Sequence, residues 1–230
     1  MTLEQISYMI LEGIRAHNIV DDENIDIRLI DAWVQLKRIQ YLRNVIKNPF
    51  ERVSLVNYQV YPVTVGVVDI TPVSEYPFDN TLDPNRQLMK IIKSTTTVPT
   101  IIESNSGPLV YSVETTDQMK FSFSFVDYDY LKVAGNGRFN SSLVFAAIRD
   151  SYLYLKYNAI FDGLSPIISL NLRAVFTDPT VIPGFDRSAT EYPCSGEVIE
   201  YIKNGIYDKD LKVALTTKAD TENNANGEVV

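Results

Sequence analysis

The stretch ISLNLRAVF, residues 168–176, alternates apolar and polar side chains along most of its length. In an extended strand successive side chains point to opposite sides, so residues two apart share a face. The apolar set comprises Ile168, Leu170, Leu172, Ala174 and Phe176, and the polar set comprises Ser169, Asn171 and Arg173. The pattern predicts a strand with one buried and one solvated face, which is typical of antiparallel sheets.

Similar alternation occurs upstream of this stretch. Residues 121–125 read FSFSF, and in residues 152–157 Tyr152 and Tyr154 share the face opposite Leu153 and Leu155. Turn-forming residues separate these runs, at Gly135-Asn136-Gly137 and at Asp150-Ser151. Strand-forming residues also dominate residues 53–68, whereas residues 88–92 fit a short helix or a strand equally well. We therefore predict an antiparallel β domain over residues 50–178, either a single sheet or a sandwich.

The N-terminal 49 residues have helical periodicity instead. Thr2 and Gln5 match a capping box, and apolar residues follow it at helical spacing. Asp26 is a candidate N-cap for a longer helix that ends before Pro49, because the residue preceding a proline is disfavoured in a helix. Residues 1–49 are therefore predicted to form a helical hairpin.

The second helix carries two apolar stripes, whereas packing on one core needs only one. The stripe containing Ile30, Val34 and Val45 fits a contact with the first helix. The other stripe contains Leu29, Trp33 and Leu36. It either packs on the β region of the same chain or contacts a neighbouring subunit, and the sequence does not distinguish these interpretations. We take its three members as candidate subunit-interface residues.

The C-terminal part is predicted to be an irregular segment and a helix, residues 179–215. Ser195 is a candidate N-cap, and Val198, Ile199, Ile202 and Ile206 form a one-sided apolar stripe. Residues 216–230 are polar and predict an extended tail that is either flexible or ordered by a partner. The expected fold class is α+β, with a helical hairpin, a central β domain, a C-terminal helix and a tail.

The charge distribution is uneven along the chain. The net charge is −8, which disfavours binding of nucleic acid over the whole surface but permits passive contact with passing DNA. The second helix and its exit are locally basic, and they add Arg38 and Arg43 to the candidate interface residues. The first 25 residues carry five acids against Arg15 alone. Complementary patches of this kind suit subunits that pack head to tail around a ring, although they also fit pairing within the hairpin.

The sequence offers few groups for catalysis or metal binding. His17 is the single histidine and Cys194 the single cysteine, so no zinc site of histidines and cysteines is expected. Cys194 is predicted to be a small, partly buried filler. Asp127 and Asp129 would share a face if they lay on a strand, and they are the best candidates for a carboxylate pair in a hydrolase. We expect no enzyme activity, no cofactor, no membrane span and no signal peptide.

Several segments along the chain, taken together, resemble a known family. They include IRLIDAW at residues 27–33, VPTII at 98–102, GNGRF at 135–139, LYLKY at 153–157, AVFTDP at 174–179 and KADTENN at 218–224. The series is similar to virion structural proteins of crAss-like bacteriophages, and more distantly to tail-tube adaptors of podoviruses.

The resemblance implies a structural protein of the virion, in a ring of twelve copies below the portal. Such a ring belongs to the head-to-tail connector and helps to form the channel through which DNA leaves. The implied partners are further copies of the chain, the portal protein and adjacent ring or tail-tube proteins, with assembly in the bacterial cytoplasm. Within the tail, Lys218, Asn223 and Asn224 are candidate interface residues. The alternatives are another virion role, such as a capsid accessory or tail-completion protein, and a carboxylate-based hydrolase.

Overall fold

The structure is a computed structural model that describes residues 1–16, 26–48, 50–68, 89–105, 107–116, 122–131, 134, 144–158 and 169–210. The chain forms two compact units. Met1–Asn57 and the chain from Phe185 onward make up a helical unit, and Tyr58–Gly184 makes up a β unit. The C-terminal helix therefore belongs with the N-terminal helices. The β unit runs from residue 58 to residue 184, compared with the predicted range of 50–178.

The two N-terminal helices begin at the residues that the sequence indicated. Helix α1 spans Leu3–Ala16, and the predicted capping box is confirmed. The backbone N–H of Gln5 donates to Thr2 Oγ1 at 3.2 Å, and the backbone N–H of Thr2 donates to Gln5 Oε1 at 3.0 Å. Helix α2 spans Ile27–Lys47, and its N-cap Asp26 accepts a hydrogen bond from the Arg28 amide. Each cap pairs a backbone N–H that a helix start leaves without an intrahelical acceptor.

The C-terminal helix packs on the first two. Helix α4 spans Gly196–Gly205 and continues as a π-helical turn, Ile206–Asp210. Ser195 occupies the N-cap position as predicted, but its side chain makes no capping hydrogen bond. The predicted stripe is confirmed, since Val198, Ile202 and Ile206 are buried. The core of the helical unit consists of Leu3, Ile6, Ile10, Leu11, Ile14, Ile30, Val34, Tyr192, Cys194, Val198, Ile202 and Ile206.

The β unit is built from strands β1 (Gln59–Val68), β2 (Met89–Ser94), β5 (Val110–Thr115), β6 (Ser122–Phe125), β7 (Phe145–Arg149), β8 (Tyr152–Asn158) and β9 (Ser169–Ala174). A two-stranded ribbon pairs β3 (Glu103–Ser104) with β4 (Gly107–Pro108). Residues 88–92, which fit a helix or a strand equally well by sequence, fall mainly in strand β2. Residues 55–57 are a 3-10 helix, so the first strand begins later than the sequence predicted. A second 3-10 helix spans Pro179–Val181.

These seven strands close into a barrel in the order β1-β2-β8-β7-β6-β5-β9. The α+β class is confirmed, but the expectation of a sandwich is wrong. Strand β9 pairs with both β1 and β5, and the Gln59–Ala174 pairing joins residues more than a hundred positions apart. The sheet is also not fully antiparallel, because β6 and β7 are parallel. Pairing partners are set by the global fold, which periodicity within one strand does not report.

The barrel interior is filled by alternate residues of the strands. In β9 the predicted alternation is confirmed, with Leu170, Leu172 and Ala174 fully buried. In β8 the leucines Leu153 and Leu155 point into the same core. The predicted turn between β7 and β8 is also confirmed, because Asp150 and Ser151 have φ values of 50° and 63°. Two consecutive residues with positive φ are typical of a type I′ hairpin turn, whose twist matches that of its strands.

A short helix, α3 (Tyr128–Leu131), packs on the outside of β7 and β8. Tyr128 and Tyr154 meet edge to face, with ring centroids 5.2 Å apart. The ammonium of Lys156, which is buried on β8, donates to the Leu131 carbonyl at 3.0 Å. This small cluster, rather than a second sheet, covers the outward-facing aromatic residues of β8.

Candidate assembly surfaces

The predicted second stripe of α2 lies on the exposed side of that helix. Leu29 is 41% exposed and Leu36 is 48% exposed. Trp33, which lies between them, is half-buried and packs against the core of the helical unit. Arg43 continues the exposed side toward the C-terminal end of the helix. We call the three exposed candidate interface residues of this helix, Leu29, Leu36 and Arg43, the α2 stripe. Trp33 is not part of it.

Arg38 is an internal residue, and its assignment to a subunit interface is wrong. Its side chain is fully buried. Nε donates to the Pro193 carbonyl at 2.9 Å, and Nη2 lies 3.5 Å from the Asn57 carbonyl. The guanidinium also lies over the Tyr192 ring, 5.9 Å from its centroid. A buried guanidinium needs such acceptors because desolvation of a charge is costly. Arg38 therefore joins α2 to two other segments of its own unit.

The basic patch predicted on α2 is smaller than the sequence indicated. Lys37 is buried like Arg38, whereas Arg28, Arg43, Lys47 and Arg52 are exposed. The acidic first helix is also partly used within the unit. Glu4 lies 3.7 Å from Arg187, which in turn binds Asp31 of α2 through two hydrogen bonds of 2.8 and 3.0 Å. Glu4 is thus paired within the helical unit, but its partner Arg187 lies outside the predicted hairpin, so this contact is not the pairing within the hairpin that the sequence left open.

The candidate residues in the tail, Lys218, Asn223 and Asn224, lie outside the described residues, as does the whole segment 216–230. The same holds for His17 and for the predicted turn Gly135-Asn136-Gly137.

A further surface, which the sequence did not indicate, lies on the outside of the barrel. A β-bulge between Val110 and Ser112 leaves the Tyr111 side chain 54% exposed. The guanidinium of Arg173, on the neighbouring strand β9, lies 5.0 Å from the centroid of the Tyr111 ring. The Tyr58 ring also contacts the Tyr111 ring, with a centroid distance of 5.5 Å, and Val60 on β1 is 50% exposed. We call these four residues the barrel patch.

The barrel patch has the composition of a protein interface. Tyr and Arg are enriched among residues that dominate binding energy. A bulge turns a side chain out of the regular alternation of a strand, which is how Tyr111 comes to lie beside the outward-facing Arg173. Burial and the neighbouring Tyr111 raise the pKa of Tyr58, so its hydroxyl stays neutral. Of the features of the barrel patch, the sequence indicated only that Arg173 occupies a polar position in the alternation of β9.

The strand on which the proposed carboxylate pair would share a face does not extend to Asp127 and Asp129. Strand β6 ends at Phe125, and Asp127 and Asp129 lie at the start of α3 rather than on a strand. Asp127 Oδ1 accepts a hydrogen bond from the Asp129 amide at 2.8 Å, which is a helix-capping role. Within the described part of the chain, no group of three or more His, Cys, Asp or Glu side chains is arranged to hold a metal ion.

Cys194 is buried, as its predicted role as a filler requires. Burial raises the pKa of its thiol to about 12, although the positive charge of Arg38 opposes the shift. The thiolate is the nucleophilic form of cysteine, so this side chain is inert at neutral pH.

Among the described residues, a cleft lies in each unit. A cleft of about 190 Å³ in the β unit lies between residues 98–103 and the turn at Asp150 and Ser151. A cleft of about 150 Å³ in the helical unit lies between the C-terminal part of α2 and residues 51–54. Both are smaller than the roughly 300–1,000 Å³ of typical small-molecule sites. In the part of the chain that the structure describes, no helix is long and apolar enough to cross a bilayer.

Exposed leucines and a tyrosine–arginine patch are features of a protein that contacts other proteins, and comparison with known families agrees. The family described as phage tail ring protein 2 matches residues 5–229. The chain belongs to this family and is a structural ring protein of the tail of crAss-like phages. Its place is therefore in the virion. No curated protein matches the sequence.

Proposed function

We propose that this ring protein assembles into a closed ring of twelve copies in the head-to-tail connector, below the portal. The ring contributes to the wall of the channel through which the genome leaves. Its partners are the portal protein on one side and an adjacent ring or tail-tube protein on the other, and it joins them in the host cytoplasm. Membership of the ring family supports the ring, and the resemblance of the sequence to tail adaptors supports the position.

The observation that carries the proposal is the α2 stripe. Leu29 and Leu36 lie seven residues apart, two helical turns, and each exposes more than two fifths of its surface. Large apolar side chains that share one helix face mark a contact surface when they are not needed for the core. Arg43 adds a positive group to the same face. We propose that a neighbouring copy covers this stripe in the ring.

The proposed role is structural rather than catalytic. The capping role of Asp127 at a helix start and the high thiol pKa of Cys194 support this view. The net charge of −8 also suits a channel component, because a negatively charged surface does not retain DNA.

Native mass measurement tests the proposal, with the full chain alone and mixed with the portal protein, followed by electron microscopy of any large species. We expect a closed ring, or a complex that forms with the portal. The double variant Leu29→Ser and Leu36→Ser is expected to fold but to lose the ring. The matched control is Val181→Ser, which changes one exposed apolar side chain of the β unit. A chain that stays monomeric with and without the portal contradicts the proposal and favours another virion role.

A further inference from the structure

The barrel patch contains a cation, Arg173, that has no anionic partner in the part of the chain that the structure describes. Within the described chain, Arg173 makes no ion pair, and its Nε is buried with no hydrogen-bond acceptor. A buried donor without an acceptor costs on the order of 1–3 kcal/mol, so native proteins rarely keep one. The Tyr111 ring holds the guanidinium by a cation–π contact. Arg173 is thus held beside Tyr111, and no anion among the described residues of the chain neutralises its charge.

The exposed side of α1 has the complementary chemistry. Tyr8 is 49% exposed, and Glu12, four residues later, is exposed on the same face. Among the described residues no hydrogen bond or ion pair reaches the Glu12 carboxylate. Glu4, by contrast, has Arg187 as a partner. The first helix therefore presents an unpaired carboxylate next to an accessible aromatic ring, while the barrel patch presents an unpaired guanidinium among aromatic rings.

We infer that the exposed face of α1 in one copy docks on the barrel patch of the next copy, with Glu12 bound to Arg173. This inference rests on the proposed ring. Tyr8 packs on Val60 and Tyr111 in the same contact. A ring needs two different surfaces on each subunit that fit one another, and these two are complementary in both charge and apolar area. Copies that each carry a net charge of −8 repel one another overall. A contact between an oriented guanidinium and a carboxylate is locally attractive, and it fixes the register of the two copies.

Charge exchange between the two positions tests the inference with the full chain. The variants are Glu12→Arg, Arg173→Glu and the two combined, each measured by native mass under conditions in which the wild type forms rings. We expect each single variant to weaken association by on the order of tenfold or more, because like charges then face each other across the contact. The combined variant restores the pair in every interface, and we expect it to recover most of the lost association.

Glu103→Arg is the matched control, since it makes the same charge change at an exposed position of the β unit. All variants should keep the thermal unfolding midpoint of the wild type within a few degrees. The inference is overturned if the single variants assemble normally, or if the combined variant stays as impaired as they are. Neither outcome contradicts the proposed ring. A wild-type chain that forms no ring, alone or with the portal, removes the proposed function and the inference together.

Cysteine cross-linking gives a second, independent measurement. In a chain with Glu12→Cys and Arg173→Cys, a short linker whose two ends form disulfides with thiols should join adjacent copies into a ladder of oligomers that reductant reverses, because the side chains of a Glu–Arg pair leave their Cβ atoms too far apart for a direct disulfide. Each single-cysteine variant should give no ladder, because buried Cys194 does not react. A cross-link from position 173 to a different tail protein in assembled particles contradicts a second copy as the occupant. Absence of any ladder in rings that form normally also contradicts it.

Discussion

Two arginines of α2, five residues apart, occupy opposite environments. Arg38 is fully buried and hydrogen-bonded to backbone carbonyls, whereas Arg43 is exposed on the α2 stripe. A helical sequence indicates the face on which a residue lies, but it does not show which distant carbonyls come close to that face. The acceptors of Arg38 belong to Asn57 and Pro193, 19 and 155 positions away along the chain. The sequence therefore predicted both arginines as surface residues and was right only for Arg43.

Replacement of these two arginines by methionine should separate stability from assembly. Arg38→Met is expected to lower the free energy of unfolding by about 2–4 kcal/mol, since buried carbonyls lose a charged hydrogen-bond donor. Arg43→Met should change it by less than about 0.5 kcal/mol, as is usual for surface substitutions, and should weaken ring assembly. Urea denaturation followed by circular dichroism gives the first quantity and native mass the second. Equal losses of stability in the two variants would contradict the assigned roles.

Burial of Cys194 predicts both slow labelling and a pH dependence of stability. The folded thiol has a pKa of about 12, compared with 9.0 for an ordinary thiol. At pH 8 its thiolate fraction is therefore roughly a thousandfold lower than in the unfolded chain. We expect Ellman's reagent to label the protein quickly only in denaturant. Above pH 9 the unfolded thiol ionises and the folded one does not, so this group lowers the free energy of unfolding progressively up to about pH 12. Rapid labelling of the native protein would show that Cys194 is accessible.

At the scale of single elements, the sequence predicted where the helices begin but not where the strands are irregular. The caps at Thr2 and Asp26 and the turn at Asp150 and Ser151 depend on residues within four positions of one another, so local sequence is sufficient. Asp127 and Asp129, which would share a face on a strand, lie instead at the start of α3, and the alternation of aspartate and tyrosine there does not indicate where β6 ends. The bulge at Tyr111 depends on the register of β5 against β9, which the sequence of β5 alone does not contain.

The contact between α1 and the π-helical turn depends on one glycine. Tyr207 donates its hydroxyl to the Ile10 carbonyl at 3.3 Å and lies directly over Gly13. A Cβ at position 13 would collide with the Tyr207 ring and hydroxyl. The absence of a side chain at Gly13, rather than any unusual backbone angle, is what permits the close approach. This contact holds the last described turn of the chain, from which the tail continues.

Gly13→Ala should therefore displace Tyr207 and lower stability, despite the higher helix propensity of alanine. We expect a loss of about 1–3 kcal/mol, the usual cost of overpacking. In Tyr207→Ala the obstruction is gone, so adding Gly13→Ala to that variant should be neutral or mildly stabilising. Thermal and urea unfolding of the single and double variants measure this coupling. A Gly13→Ala chain as stable as the wild type would show that the tyrosine moves away without cost.

At the scale of the whole molecule, assembly and folding should be separable by removing the tail. The described core of both units ends by residue 206, well before Lys218. A chain truncated before Lys218 is therefore expected to keep the thermal unfolding midpoint of the full chain within a few degrees. It should join rings and portal complexes less well, because the candidate residues Lys218, Asn223 and Asn224 are lost. The full-length chain is the control, and native mass with the portal protein is the measurement. Unchanged incorporation into particles would contradict a role of the tail in assembly.

The sequence by itself determined the order of helices and strands, the helix caps, the inward face of each well-patterned strand and the resemblance to a phage ring family. All of these features depend on residues that are close in sequence or on the order of segments along the chain. Only the tertiary structure decided that the sheet closes into a barrel, that the last helix packs with the first two, and that Arg38 is internal. It alone brought Tyr58, Tyr111 and Arg173 together. The physical reason is that pairing partners and buried acceptors lie far apart in the chain, and only the packing of the whole core selects among them.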